Sequence, residues 1–261
     1  MIELRPEILF SCEDQVVVVT GGATGIGRIC AEALGAAGAT VVIAGLTETQ
    51  PHRVAAELGT HGDTFKGAVC DVTNDAQLQG LIADVVAKFG RIDTVLANAG
   101  VALDGAGETT AEQLVELDQM YAIHVRSVVH LAGLVLPVMA ESGGGSMTVM
   151  SSIAGLRGNN ALSGYGVTKA ANAQIARNLA VQWGDKQIRV NAVSPGVIST
   201  EFARPITNDA QVATARLAKI PLGRFGVPEE VAGAVVWLAS RAGAFVSGQN
   251  IVIDGGTLVM D

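Results

Sequence analysis

At 261 residues, with 49% hydrophobic and 16% charged side chains, the chain suits one large α/β domain with a sizeable core better than two small ones. A net charge of −8 with no basic cluster argues against nucleic acid, and the scattered cysteines (Cys12, Cys30, Cys70) show neither metal spacing nor a disulfide framework. The start lacks a signal-peptide pattern and no apolar run reaches ~18 residues unbroken, so a cytoplasmic protein without membrane span or metal is expected.

Residues 1–12 read as an N-terminal extension and 13–261 as a single domain. Val16–Val19 reads as a buried strand, followed by glycine-rich punctuation and a helix through Ala37. Thr40–Ala44 is the next strand, with a helix from about Gln50 to Leu58. A strand near Phe65–Cys70 precedes a helix over Asp75–Phe89; Thr94–Ala97 is a fourth strand, and a long helix occupies Ala111–Glu141. Ser146–Met150 and Ile188–Val193 are strands on either side of a helix at Gly164–Trp183. A polar stretch with one helix follows, then a helix at Pro228–Ser240 and a last strand at Asn250–Ile253. Continuous apolar strands separated by helices predict a doubly wound parallel sheet covered on both faces.

Two segments carry chemistry. The first strand ends in Thr20-Gly21-Gly22-Ala23-Thr24-Gly25-Ile26-Gly27 and opens into a helix. Glycines there permit a tight turn and a close backbone approach to a pyrophosphate, whose charge is favoured at a helix N-terminus. The second is Tyr165-Gly-Val-Thr-Lys169, with Ser152 upstream. Four-residue spacing lays phenol and ammonium on one helix face. A free phenol titrates near ~10, and a fixed ammonium beside it favours the phenolate. A buried Tyr with a snorkelling Lys is the structural alternative.

In order along the chain stand Thr20-Gly-x-x-x-Gly-x-Gly27, Asn98-Ala99-Gly100, Ser152, Tyr165-x-x-x-Lys169, Pro195-Gly196 and Asp254-Gly-Gly256. This set resembles the short-chain dehydrogenase/reductase family over about residues 13 to 256. The resemblance implies a Rossmann-type sheet of seven parallel strands, a nicotinamide cofactor and a homotetramer or dimer, with the tetramer expected. It implies that Tyr165 is the general acid/base, that Lys169 lowers its pKa and binds ribose, and that Ser152 orients the substrate oxygen. Carried over residue by residue, the cofactor contacts are Gly21, Thr24, Gly25, Ile26, Gly27, Leu46, Asp71, Val72, Asn98, Ala99, Gly100, Tyr165, Lys169, Pro195, Gly196, Ile198 and Thr200. For Asp71 and Thr200, helix capping is the alternative reading.

Two positions depart from the family pattern. Gly45 stands where an NAD-type acid is usual and Leu46 where an NADP-type arginine would be, so NAD or NADP stays undecided. His124 stands where the family usually has an asparagine associated with a helix kink and a proton-relay water. Its ring is expected either to hold that water, as a catalytic residue, or to be a packed core histidine.

The resemblance also implies that the substrate pocket is shaped by the segments at Val101–Gly107 (with Leu103, Asp104 and nearby Glu108), at Ile153–Leu162 (with Arg157, Asn159 and Asn160), and at Glu201–Arg224. They suit a small alcohol or carbonyl substrate such as a sugar, polyol or hydroxy acid. The function expected is hydride transfer between a nicotinamide cofactor and a secondary alcohol or carbonyl. A 3-oxoacyl-[acyl-carrier-protein] reductase is the alternative among enzymes. A catalytically weak nucleotide-sensing or scaffold protein is the alternative from another class.

Overall fold

The computed structural model describes residues 4–59, 64–103, 111–158 and 163–260. Seven strands, β1 (Val16–Thr20), β2 (Thr40–Gly45), β3 (Phe65–Val69), β4 (Thr94–Ala97), β5 (Gly145–Met150), β6 (Ile188–Pro195) and β7 (Asn250–Ile253), form one sheet in the order β3-β2-β1-β4-β5-β6-β7. Every pairing is parallel.

Parallel strands need crossovers, and here every helix after the first, which precedes β1, lies in one. In chain order the helices are α1 (Pro6–Leu9), α2 (Gly25–Ala36), α3 (Pro51–Leu58), α4 (Asp75–Phe89), α5 (Ala111–Tyr121), α6 (Ser127–Glu141), α7 (Ser163–Trp183), α8 (Arg204–Thr207), α9 (Ala210–Leu217) and α10 (Pro228–Ala239). Alternate valines of β1 face opposite ways. Val16 and Val18 join a core with Leu78 of α4, Val135 of α6 and Ala176 of α7. Val17 and Val19 join a second core with Leu34 of α2, Val54 of α3 and Val235 of α10. Burial on both faces is why these strands are apolar without alternation.

The expected strands and main helices are present, with informative differences at their ends. The expected long helix is interrupted by a π-helical turn at Ala122–Arg126, one residue wider than an α turn. By length and composition alone Leu114–Glu141 is apolar enough to cross a membrane, but α6 packs on β4, β5 and β6 as a core helix. Helix α3 starts at Pro51 because Gln50 has φ +51° and closes a 3-10 turn at Thr47–Thr49. Strand β6 runs two residues further than expected, to Pro195. The polar stretch after it holds a 3-10 turn at Glu201–Ala203 and two short helices, α8 and α9, where one helix was expected.

Candidate active site

The strand order reverses between β1 and β4, so the connections leaving their carboxyl ends diverge and open a crevice. Thr20 pairs with Ala97 at the mouth. Its hydroxyl accepts the Asn98 N–H at 3.2 Å, and Asn98 Nδ2 donates to the Gly21 carbonyl at 3.0 Å. Asn98 therefore clamps the glycine turn to the end of β4.

The turn is walled by backbone. Gly21 (φ +62°) would bring a β-carbon within 2.8 Å of Ala99 Cα, and Gly27 would bring one within 2.2 Å of the Gly21 carbonyl oxygen. Gly25 (φ +51°) faces open space, its nearest neighbours being Thr200 side-chain atoms at 4.0 Å. The first hydrogen bond entering α2 is Arg28 N–H to Thr24 O, so the N–H groups at Gly25, Ile26 and Gly27 precede it. A narrow, backbone-lined cradle at a helix N-terminus fits a dinucleotide pyrophosphate.

At the end of β2, Leu46 is exposed and Gly45 is buried. Neither Gly45 nor Leu46 supplies the acid or arginine of a ribose-reading position, and Arg28 pairs with Glu57 of α3 at 3.1 Å. Asp71 and Val72 follow β3. Asp71 does not cap α4; its Oδ1 accepts the Thr73 N–H at 2.9 Å and the Thr73 hydroxyl at 2.7 Å, while Asn74 takes the cap by accepting the Gln77 N–H. Pro195, Gly196, Ile198 and Thr200 line the exit of β6. Thr200 occupies the cap position of the turn at Glu201–Ala203, but its hydroxyl makes no cap bond.

Ser152 lies just beyond β5, its Oγ accepting the Ala154 N–H at 3.1 Å. Tyr165 and Lys169 stand one turn apart on α7, with the lysine nitrogen 5.6 Å from the phenol ring centroid. Lys169 is 3% exposed; its ammonium donates to the Met150 carbonyl at 2.9 Å, and the Ser151 hydroxyl donates to the Lys169 carbonyl at 2.7 Å. These bonds lock α7 onto the end of β5.

The electrostatics differ from the expectation that lysine lowers the phenol's pKa. Burial pushes the Tyr165 phenol up to about 12, opposed only by its hydrogen bond with Ser152. Burial also pushes Lys169 down to about 7, which weakens the ammonium as a fixed charge near neutrality.

His124 lies in the π turn, fully buried, with its ring edge-on to Tyr165 (centroids 5.6 Å, planes at 88°). It is also beside Lys169, since a β-carbon on Gly100 would lie 3.2 Å from His124 Nε2 and 3.4 Å from Lys169 Nζ. Nε2 accepts the Val101 N–H at 3.0 Å and Nδ1 is 2.9 Å from Thr168 Oγ1. Both ring nitrogens thus have protein partners, so the ring has no spare nitrogen for the relay water expected of a catalytic His124. Burial and the neighbouring Lys169 charge push the imidazole down to about 3.

On the substrate side, the Phe202 ring lies 6.2 Å from Tyr165 and is 54% exposed. Phe202 falls within the substrate-shaping stretch Glu201–Arg224 and Val101 opens the stretch Val101–Gly107, whereas Thr168, inside the Tyr-to-Lys interval, was not singled out in the sequence. Arg157 is half-buried in the turn after Ser152. Asp104, Glu108, Asn159 and Asn160 lie outside the described residues.

The family model described as enoyl-(acyl carrier protein) reductase matches residues 21–257. D-threitol dehydrogenase of Mycolicibacterium smegmatis is 35% identical over 254 residues, covering 97% of this chain and 96% of that one. A gluconate 5-dehydrogenase of Burkholderia cenocepacia, solved with NADP and tartrate, superposes with a TM-score of 0.93 at 27% identity, covering 98% and 100% of the two chains. A 7α-hydroxysteroid dehydrogenase solved with NADH and 7-oxoglycochenodeoxycholic acid gives a TM-score of 0.91 at 29% identity, covering 97% and 98%. By the match over residues 21–257 and the order of its site motifs, the chain belongs to the short-chain dehydrogenase/reductase family.

Proposed function

We propose that this protein is an NAD(P)-dependent oxidoreductase interconverting a secondary alcohol and its carbonyl form, with a sugar, polyol or hydroxy acid as substrate. The observation that carries the reading is the convergence of Ser152, Tyr165 and Lys169 beside the glycine cradle. Relatives named for threitol and gluconate support the substrate class. When bound, the nicotinamide gives or takes one hydrogen together with its electron pair.

The chain's own groups handle the proton. Tyr165, protonated near neutrality, gives its phenolic proton to the substrate oxygen as the carbonyl carbon is reduced, and takes it back in oxidation. Ser152 donates to the same oxygen and holds it against the phenol. Lys169, pinned by Met150, fixes the inner end of the site. The N–H groups of Gly25, Ile26 and Gly27 would hold the pyrophosphate, with Asn98 fixing the glycine turn that leads to them. The test is a screen of alcohols and ketones with NAD and NADP, followed at the nicotinamide absorbance, with Tyr165→Phe as control. Turnover that survives in that variant overturns the reading.

The expected homotetramer belongs to the same proposal. Exposed apolar side chains support it: Val129 on α6, Val167 and Val181 on α7, and Val252 on the edge strand β7. Sedimentation equilibrium decides it. A cytoplasmic location is supported by three buried thiols that are all free, and cell fractionation tests that assignment.

A further inference from the structure

We propose that His124 and Thr168 are positioning residues, forming a hydrogen-bonded strap from the Val101 N–H through both side chains to the Tyr165 carbonyl. Through it the loop that leaves β4 sets the placement of the catalytic tyrosine.

Donor accounting fixes every hydrogen along the strap. The Val101 N–H can only donate, so His124 Nε2, 3.0 Å away, must be a bare acceptor. At the other end the Thr168 hydroxyl donates its single hydrogen to the Tyr165 carbonyl at 2.9 Å. Thr168 Oγ1 must then accept from His124 Nδ1, also at 2.9 Å. The two ends independently demand the same neutral tautomer, protonated at Nδ1. A second proton would have to enter at Nε2, facing an N–H donor and standing beside Lys169; the downward shift of the imidazole agrees with this.

A satisfied core histidine would do no more than fill space. This one joins two elements that have to keep a fixed separation. Its Val101 bond holds the strand-end loop next to Gly100, where His124 Nε2 and Lys169 Nζ crowd the backbone together. Its other bond runs to Thr168, one residue before Lys169 and three after Tyr165, and its ring edge abuts the phenol ring. His124 is fully buried and Thr168 is 1% exposed, so water has little access to the bond between them. A shift of the loop is thereby passed to the face of α7 that carries the phenol and the ammonium.

The proposal rests on the oxidoreductase reading only in its kinetic arm. With four histidines in the chain, a ¹⁵N-histidine spectrum identifies His124 by the signal lost in His124→Gln. The strap requires a protonated Nδ1 and a bare Nε2 from pH 5 to 9. A protonated Nε2, or titration within that range, overturns it. The chain has two tyrosines, so a ¹³Cζ-tyrosine label reads Tyr165 in the free protein without substrate. Thr168→Val should move that signal and Thr168→Ser should leave it in place; equal spectra for both variants overturn the positioning role. With a substrate from the screen, Thr168→Val should lower kcat about tenfold, equivalent to about 1.4 kcal/mol. Its cofactor dissociation constant should stay within about twofold, the kinetic isotope effect on the transferred hydrogen should rise, and Thr168→Ser should restore the rate. Full kcat in Thr168→Val overturns the proposal. Failure to find any substrate would count against the oxidoreductase reading, while the two spectra would still decide the strap.

Discussion

The hydroxyl of Thr49 fills the space that a side chain at Gly45 would enter: an ideal β-carbon on Gly45 would lie 2.6 Å from Thr49 Oγ1. Thr49 is held there by its hydroxyl bond to the Leu46 carbonyl at 2.8 Å. The position from which related enzymes read the ribose is therefore closed by a neutral group. Wild-type protein should discriminate between NAD and NADP by less than about a thousandfold, or about 4 kcal/mol. Gly45→Asp alone has to displace Thr49, whereas Gly45→Asp with Thr49→Ala has room for the carboxylate and should favour NAD more strongly. Fluorescence titration of both cofactors against the single and double variants checks the order. Equal discrimination in the two variants would refute the steric account.

Removing one oxygen at Tyr165 tests the proton path. Tyr165→Phe should lower turnover by about 10²–10⁴-fold, the usual contribution of a positioned acid/base. Its cofactor affinity should stay within a few-fold of wild type, because the cradle is built from the opposite side of the crevice. Stopped-flow turnover and equilibrium binding of the same preparation separate the two effects.

Lys169 predicts a pH dependence of cofactor binding. Burial holds it down to about 7 in the free protein. Sugar hydroxyls that accept from the ammonium stabilise its charged form, so binding raises the pKa and takes up a proton. Affinity should strengthen as pH falls from about 9 to about 7, then level off, by at most about tenfold per unit. Lys169→Met should bind more weakly and lose this slope. Calorimetry in buffers of different ionisation enthalpy measures the proton uptake directly, and no uptake near pH 8 would contradict the prediction.

Gly27→Ala should be the most damaging single methyl in the cradle. Its β-carbon would meet the Gly21 carbonyl oxygen at 2.2 Å and Asn98 Nδ2 at 2.4 Å, breaking the clamp that joins β1 to β4. Cofactor binding should fall by at least about a hundredfold, with a stability loss of about 1–3 kcal/mol from overpacking. Gly80→Ala, at an exposed position of α4 with nothing within 4 Å of its β-carbon, is the matched control. Denaturant unfolding of both variants gives the comparison.

Much of the architecture could be read from the chain because buried parallel strands are written as unbroken runs such as Val16–Val19, and glycines mark their ends. Tyr165, Lys169 and the glycine cradle were legible for a similar reason: their spacing acts within one turn or one helix. What escaped depends on packing between distant segments. The resemblance implied a helix kink at His124, but its π form at Ala122–Arg126 leaves no local pattern, and the pairing of His124 with Val101 and Thr168 joins three separated stretches. The upward shift of the Tyr165 phenol follows from burial, which spacing cannot report. The short helices α8 and α9 fell within a polar stretch whose weak periodicity gave only one.

The seam between β1 and β4 also orders events in time. Strand β1 pairs with β2 close by in the chain, Val17 against Val41, whereas its other neighbour is far along it, Val17 against Thr94, so that β2 is made well before β4. Until β4 is made, a valine-rich edge has no partner on that side, the kind of surface on which nascent chains stick to one another. Dinucleotide can bind only once that edge is covered, because Asn98 and the glycine turn face each other across it. Mass action then draws the chain toward the closed form in proportion to free cofactor. Refolding from denaturant should accordingly lose less material to precipitation when the preferred dinucleotide is present from the start than when it is added after an hour.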